Sequence, residues 1–157
     1  MNEQKPFIVD ENLLGLVKRL RMMGVDTIDL PGATDDELLA KADEQSRLIL
    51  TKDRRFFQRI PQGRAYFVIS GTPEEQLFEV LRQYPFLATE DPLSRCFRCN
   101  SLIEEVQKQS VVGRVDAKTF GLYDKFYECP TCHQIYWEGS HFEKMQSKIK
   151  AIKKSLG

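Results

Sequence analysis

The sequence predicts an α/β protein: a four-stranded parallel sheet with flanking helices, then a small four-cysteine module and a C-terminal helix. Three observations predict it. Short apolar runs alternate with helical patterns four times before residue 84, which argues for a parallel sheet covered by helices. All four cysteines fall into two pairs, Cys96-Phe97-Arg98-Cys99 and Cys129-Pro130-Thr131-Cys132. In the last stretch, residues 141–156, Phe142, Met145, Ile149 and Ile152 share one helical face, and Lys144, Lys148, Lys150, Lys153 and Lys154 crowd the remainder.

The elements follow in order. Residues 6–9 form a short buried strand. Residues 12–23 place Leu13, Leu16, Val17, Leu20 and Met23 at helical spacing, with Gly24 as the stop. Residues 25–30 form a second strand, closed by Pro31 and Gly32. Thr34 or Asp35 caps a helix whose apolar stripe is Leu38, Leu39 and Ala42. Residues 47–51 form the third strand, and Asp53 opens a helix carrying Phe56, Phe57 and Ile60. Residues 65–69 form the fourth strand. Thr72-Pro73-Glu74-Glu75 then starts a helix with Leu77, Val80 and Leu81: a cap, a proline in the first turn and acids after it. The strands are short and apolar, as strands buried on both faces should be. Residues 85–94, with Pro85 and Pro92, read as a linker. The expected division is thus a first domain at 5–84, the linker, the cysteine module at 95–141 and a basic helix at 142–156.

Two residues between paired sulfurs let a tight turn aim both thiolates at one ion. Two such turns supply the four soft, tetrahedral ligands of a closed structural zinc site, so Cys96, Cys99, Cys129 and Cys132 are the expected zinc ligands. The opening residues lack the length and cleavage site of a signal peptide, and no apolar stretch approaches the ~20 residues of a membrane helix. A cytoplasmic protein with no membrane partner is therefore expected, and a reducing compartment favours metal over disulfides. Twenty-three basic residues balance twenty-three acidic ones, so electrostatic recognition must be local.

In an open parallel sheet, ligands bind beyond the carboxyl ends of the strands. The first strand ends on Asp10-Glu11, the second runs into Asp35-Asp36-Glu37, the third ends Thr51-Lys52-Asp53, and the fourth ends Ser70-Gly71-Thr72. Carboxylates converging on one point repel each other unless a cation neutralises them. Hard oxygen donors with little histidine select magnesium or manganese over zinc, and such ions serve phosphoryl transfer. The same acids also have a plainer reading. Asp35 and Asp53 sit where helices begin, and an aspartate N-cap contributes roughly 1 kcal/mol. Asp10 closes a buried strand and has no capping role as strong. Asp36 and Glu37 stand as rivals to Asp35.

The segments Phe7-Ile8-Val9-Asp10-Glu11-Asn12-Leu13, Leu20-Arg21-Met22-Met23-Gly24-Val25-Asp26-Thr27, Asp35-Asp36-Glu37-Leu38-Leu39 and Ile49-Leu50-Thr51-Lys52-Asp53-Arg54 resemble the Mut-seven C-terminal (Mut7-C) ribonuclease domain family. Both cysteine pairs and Tyr136-Trp137-Glu138-Gly139-Ser140-His141 belong with them, so the resemblance runs from residue 6 to residue 147. It implies a PIN-like nuclease fold joined to a zinc ribbon, and a ribonuclease whose magnesium or manganese ion is held by a few acids. Asp10, Asp35 and Asp53 match those acidic positions, and so are the implied catalytic residues. One departure stands out. PIN-like nucleases commonly place a fourth acid near the end of the fourth strand, where this chain has Ser70-Gly71-Thr72-Pro73-Glu74-Glu75. Glu74 reads there as a first-turn acid favoured by the helix dipole. One firmly held ion suits these residues better than two.

Basic and aromatic side chains flank the motifs. Arg21, Arg54, Arg98, Trp137 and His141 are the expected RNA contacts, through phosphate pairing and base stacking. Three functions compete: a metal-dependent ribonuclease, a non-catalytic RNA-binding module, and an adaptor that docks a ribosome or a larger RNase. Convergence of Asp10, Asp35 and Asp53 is the feature that separates the first from the others.

Overall fold

A computed structural model describes residues 6–89 and 91–157; residues 1–5, where the expected first domain begins, and Glu90 of the expected linker lie outside them. Four strands, β1 (Phe7–Val9), β2 (Thr27–Asp29), β3 (Leu48–Thr51) and β4 (Ala65–Phe67), pair in parallel in the order β2-β1-β3-β4. Helices α1 (Leu14–Met22), α2 (Asp35–Glu44), α3 (Arg54–Arg59) and α4 (Pro73–Gln83) alternate with them, as the sequence pattern predicts.

Successive strand residues point to opposite faces, and the two faces meet different helices. Phe7, Val9, Leu48 and Leu50 pack with Leu16, Val17 and Leu20 of α1 and Leu77, Val80 and Leu81 of α4. Ile8 and Ile49 pack with Leu38 and Ala42 of α2 and with Phe56 and Ile60 at α3. Handedness explains the split. The crossover to β2 leaves β1 on one side, while those to β3 and β4 run to the other, so right-handed connections put α1 opposite α2 and α3.

Local chemistry sets the helix starts. Thr34, rather than Asp35, caps α2: its hydroxyl accepts from Glu37 N–H, and the Glu37 carboxylate accepts from Thr34 N–H. Thr72 caps α4 by accepting from Glu75 N–H, with Pro73 at the first position. At the end of α1, Gly24 adopts φ +84°, and a Cβ there would collide with the Asp91 carbonyl.

Residues 85–89 and 91–94 pack against the first domain. Pro85–Thr89 forms a 3-10 turn, Leu87 is fully buried, and Leu93 N–H donates to the Met22 carbonyl at 2.9 Å. The cysteine module contains an antiparallel sheet, β5 (Glu104–Val106), β6 (Phe126–Glu128) and β7 (Ile135–Trp137), and helix α5 (Ala117–Leu122). Its small core is Val111, Phe126 and Ile135. The final helix, α6 (Ser140–Leu156), returns to the first domain and buries Ile149 and Ile152 in the cluster that holds α1 and α4.

A polar seam joins the module to β2, an edge strand of the parallel sheet. The Asn100 side chain accepts from Thr27 N–H at 3.0 Å and donates to the Asp26 carboxylate at 2.6 Å. Arg21 is only 5% exposed; it donates to the Thr27 and Phe97 carbonyls and pairs with Asp29. Arg95 adds a bond to the Gly24 carbonyl. The seam covers a strand edge that would otherwise offer unpaired backbone groups to other chains. Among the described residues no helix is long and apolar enough to cross a membrane.

Gly24→Ala is expected to lower stability by about 1–3 kcal/mol, because it adds a left-handed strain to a backbone collision. Urea unfolding checks this: the midpoint should fall while the slope with denaturant stays constant.

Candidate functional site

The strand order makes β1 and β3 neighbours whose chains leave in opposite directions, so a crevice opens beyond their carboxyl ends. Asp10 follows β1, and its N–H donates to the Leu50 carbonyl at 2.9 Å, which locks the strand end to β3. Thr51 Oγ1 donates to Asp10 Oδ2 at 2.8 Å and accepts from Asp53 N–H at 3.0 Å. One hydroxyl thus ties the Asp10 carboxylate to the Asp53 backbone. Asp53 Oδ1 caps α3 by accepting from Arg55 N–H and Phe56 N–H. Among the described residues Asp53 Oδ2 has no partner. Asp10 also caps, contrary to expectation: its Oδ1 accepts from Glu11 N–H at 2.7 Å and opens a 3-10 turn over Glu11–Leu13.

The acids at the start of α2 are engaged elsewhere. Arg59, in the last turn of α3, pairs with Asp35 at 3.4 Å and with Asp36 at 2.6 Å, while Glu37 serves the capping box. Among the described residues the carboxylates of Asp10, Asp35 and Asp53 do not gather within the 4.8 Å that encloses the four cysteine sulfurs.

At the end of β4 the structure supplies an acid that local pattern does not mark. Glu79, well inside α4, turns back to accept from Ser70 N–H at 2.8 Å, Ile69 N–H at 3.0 Å and Tyr66 Oη at 2.8 Å. Burial would raise its carboxyl, but these donors outweigh that and hold Glu79 below the ordinary value of 4.5. Burial and the same carboxylate push Tyr66 up to about 12. Lys52 Nζ and Gln76 Nε2 both donate to the Ser70 carbonyl, so the loop after β4 is tightly held.

The two cysteine knuckles repeat one geometry. Each donates from the N–H of its first cysteine to a carbonyl five residues on, Cys96 to Ser101 and Cys129 to Gln134. Each closes with a left-handed residue after its second cysteine, Asn100 at φ 75° and His133 at φ 65°. Their carbonyl partners match too: Asn100 N–H donates to Cys96 and His133 N–H to Cys129, each at 2.9 Å. The sulfurs lie within 4.8 Å of one another, with 3.6 Å between Cys96 and Cys132 and 3.1 Å between Cys99 and Cys129. A tetrahedral zinc with bonds of about 2.3 Å would space its sulfurs about 3.8 Å apart. The group can therefore hold a metal ion such as zinc. A hydrogen bond from the Gln134 backbone favours the Cys132 thiolate, but burial and the neighbouring sulfurs push its thiol up to about 12. A cation would remove that repulsion.

The chain matches the family described as the Mut7-C RNAse domain over residues 5–149. It belongs to that family. No curated protein and no solved structure matches it significantly. Membership covers both the parallel sheet and the cysteine module, and it points to a ribonuclease-type function with RNA as the substrate.

The expected RNA contacts of this Mut7-C chain occupy different settings. Arg21, expected on the surface as a phosphate contact, is instead buried in the seam, its guanidinium closed in by Thr27, Asp29 and Phe97. Arg54 is exposed, with its guanidinium 5.0 Å from the Phe67 ring centre. Arg98, also exposed, donates to Gln134 across the two knuckles. Trp137 packs beside Phe126 at 6.4 Å, and Trp137 and His141 line a cleft of about 830 Å³ between the module and α6. Phe97, Tyr127, Phe142, Lys150 and Lys153 share that cleft, and none of Asp10, Asp35 or Asp53 lines it.

Two expectations follow. Because the folded Glu79 carboxyl lies below its unfolded value, its contribution is present above pH 4.5 and is lost as pH falls through the folded value. The gap in melting temperature between wild type and Glu79→Gln should therefore be widest near neutrality and close on acidification. A gap constant with pH would contradict this. Cys99→Ser should lower bound metal in elemental analysis of the purified protein and expose residues 95–139 to limited proteolysis.

Proposed function

We propose that this chain is a divalent-metal-dependent ribonuclease that hydrolyses RNA phosphodiester bonds in the crevice beyond β1 and β3. The observation that carries this reading is the Asp10–Thr51–Asp53 linkage at the point where the strand order reverses. Magnesium prefers one or two carboxylates completed by water and substrate phosphate over a cage made wholly of protein. Two linked acids, one with a free oxygen, suit that habit, and manganese accepts the same donors. When bound, such an ion polarises the phosphate, lowers the pKa of an attacking water and stabilises the leaving oxygen.

The chain's own groups perform the rest. The Asp10 carboxylate is held in one orientation by Glu11 N–H and Thr51 Oγ1, so its charge is fixed before substrate arrives. Asp53 Oδ2 orients the water and takes its proton. Arg54 offers charge to a flanking phosphate. Asp35 joins the acids when substrate phosphate draws Arg59 away from it. Four cysteines around zinc give a structural module, and Arg98, Trp137 and His141 present RNA from it. The setting is cytoplasmic, where paired cysteines stay reduced.

A second reading, a non-catalytic RNA-binding module, is favoured by the cleft that carries Trp137, His141, Lys150 and Lys153 apart from the acids. Docking to a ribosome or a larger RNase is favoured by Leu102 and Leu122 on the module, 56% and 64% exposed.

Cleavage of single-stranded RNA in manganese or magnesium tests the assignment. Asp10→Asn and Asp53→Asn should each lower the rate roughly a hundredfold or more while RNA binding persists. Equal cleavage by the variants would remove the reaction from this crevice. Binding without cleavage by the wild type would favour the second reading. Omission of the added ion is a better control than chelation, since a chelator also removes zinc from cysteines.

A further inference from the structure

Beside the linked acids lies a rim of aromatic and cationic side chains, Phe67, Phe57 and Arg54, that contact one another. In the register of β3 and β4, Phe67 is the partner of Thr51, the residue whose hydroxyl joins Asp10 to Asp53. Paired residues of parallel strands project to the same face, and neighbouring strands lie about 4.8 Å apart. The Phe67 ring therefore begins one strand spacing from the crevice. Phe57 of α3 meets it at 5.5 Å with the rings tilted by 60°, and Phe57 is itself 37% exposed. The Arg54 guanidinium stands 5.0 Å from the Phe67 ring centre, and among the described residues no carboxylate pairs with it. Just beyond β4, Ile69 is 77% exposed.

An ordinary edge strand is blunted by charge or covered. β2, at the other edge of the sheet, is covered by the cysteine module. β4 instead leaves flat apolar rings at the rim, with an unpaired cation held over one of them and a second exposed arginine, Arg55, next in sequence. Flat rings alternating with positive charge complement one kind of polymer in particular. A single-stranded nucleic acid presents a base face and a phosphate in each repeat, and aromatic rings stack on bases while guanidinium groups pair with phosphates.

We propose that Phe67 and Phe57 form a nucleobase subsite for single-stranded RNA, with Arg54 on the adjoining phosphate. The base stacks on the rim while the neighbouring phosphodiester enters the crevice between Asp10 and Asp53. This deepens the ribonuclease reading and rests on it for the position of the scissile bond. The subsite accepts any base, because a phenyl ring offers no hydrogen bond with which to choose one. It also requires the target to be unpaired, since a base held in a duplex has no free face to stack.

The test uses the full chain carrying Asp10→Asn, so that RNA stays intact, with added magnesium. A short single-stranded RNA with 5-iodouridine at successive positions is irradiated, and the crosslinked peptide is identified by mass spectrometry. The expected adduct lies on Phe57 or Phe67. In fluorescence anisotropy, Phe67→Leu and Phe57→Leu should each weaken binding about tenfold. An abasic nucleotide at the crosslinking position should produce the same loss, with no further loss when it is combined with either variant. Phe57 is the more exposed ring, so Phe57→Leu serves if Phe67→Leu alters the fold. Crosslinks confined to the module, or affinities unchanged by both variants, would overturn the subsite. Capture of a protein on this rim with RNA binding unaffected would overturn it too. The two readings remain separable: affinities unchanged by both variants, with cleavage present in the Asp10-containing chain, reject the subsite alone. Stacking with no cleavage by that chain rejects the ribonuclease alone.

Discussion

The buried amide of Asn100 is the point on which the two halves of the molecule meet. Its backbone is left-handed because it closes the first cysteine knuckle, a conformation asparagine tolerates better than most side chains. Its side chain then reaches Thr27 N–H and the Asp26 carboxylate at the start of β2. Burial alone would raise the Asp26 carboxyl, but hydrogen bonds from Arg47 and Asn100, with the charges of Arg47 and Arg95, hold it below its ordinary value. Arg47 also donates to the Phe7 carbonyl, so the contact runs from the knuckle through β2 to β1 and β3. Whatever holds the knuckle in shape therefore also holds the edge of the parallel sheet.

The crevice depends on that sheet in a different way. Strand order decides which loops are neighbours, and the order β2-β1-β3-β4 sets the end of β1 beside the end of β3. Asp10 and Asp53 consequently share one threonine hydroxyl, while the acids opening α2 meet an arginine at the far end of α3. Each aspartate at the crevice also caps a turn or helix, so capping and charge placement are not alternatives here. The cap fixes one carboxylate oxygen and thereby aims the other.

The cysteine module and α6 add a second concave surface. Its aromatic and basic lining lies between β-strands of the module and the C-terminal helix, whose Ile149 and Ile152 are anchored in the core of the first domain. Cleft and crevice are separate features, joined through the rigid sheet. RNA, the substrate to which the family points, has the length to meet more than one surface, which a small substrate does not.

By itself the sequence determined the elements and their ends. Alternating apolar runs specified four short strands, of which β1 and β3 are buried throughout, helix caps at Thr34, Asp53 and Thr72 were written in local pattern, and two pairs of cysteines specified metal-type knuckles. Those features are legible because each depends on neighbours within a turn or two of chain. Tertiary structure alone decided the rest. Thr51 reads as an ordinary strand threonine until Asp10, forty-one positions away in sequence, meets its hydroxyl. Glu79 reads as a solvated helix acid until the loop after β4 folds onto it. Arg21 reads as a surface cation until Phe97, seventy-six positions on, closes over it. In each case the side chain's role is set by a partner that chain reversal brings near, and no local spacing encodes that partner.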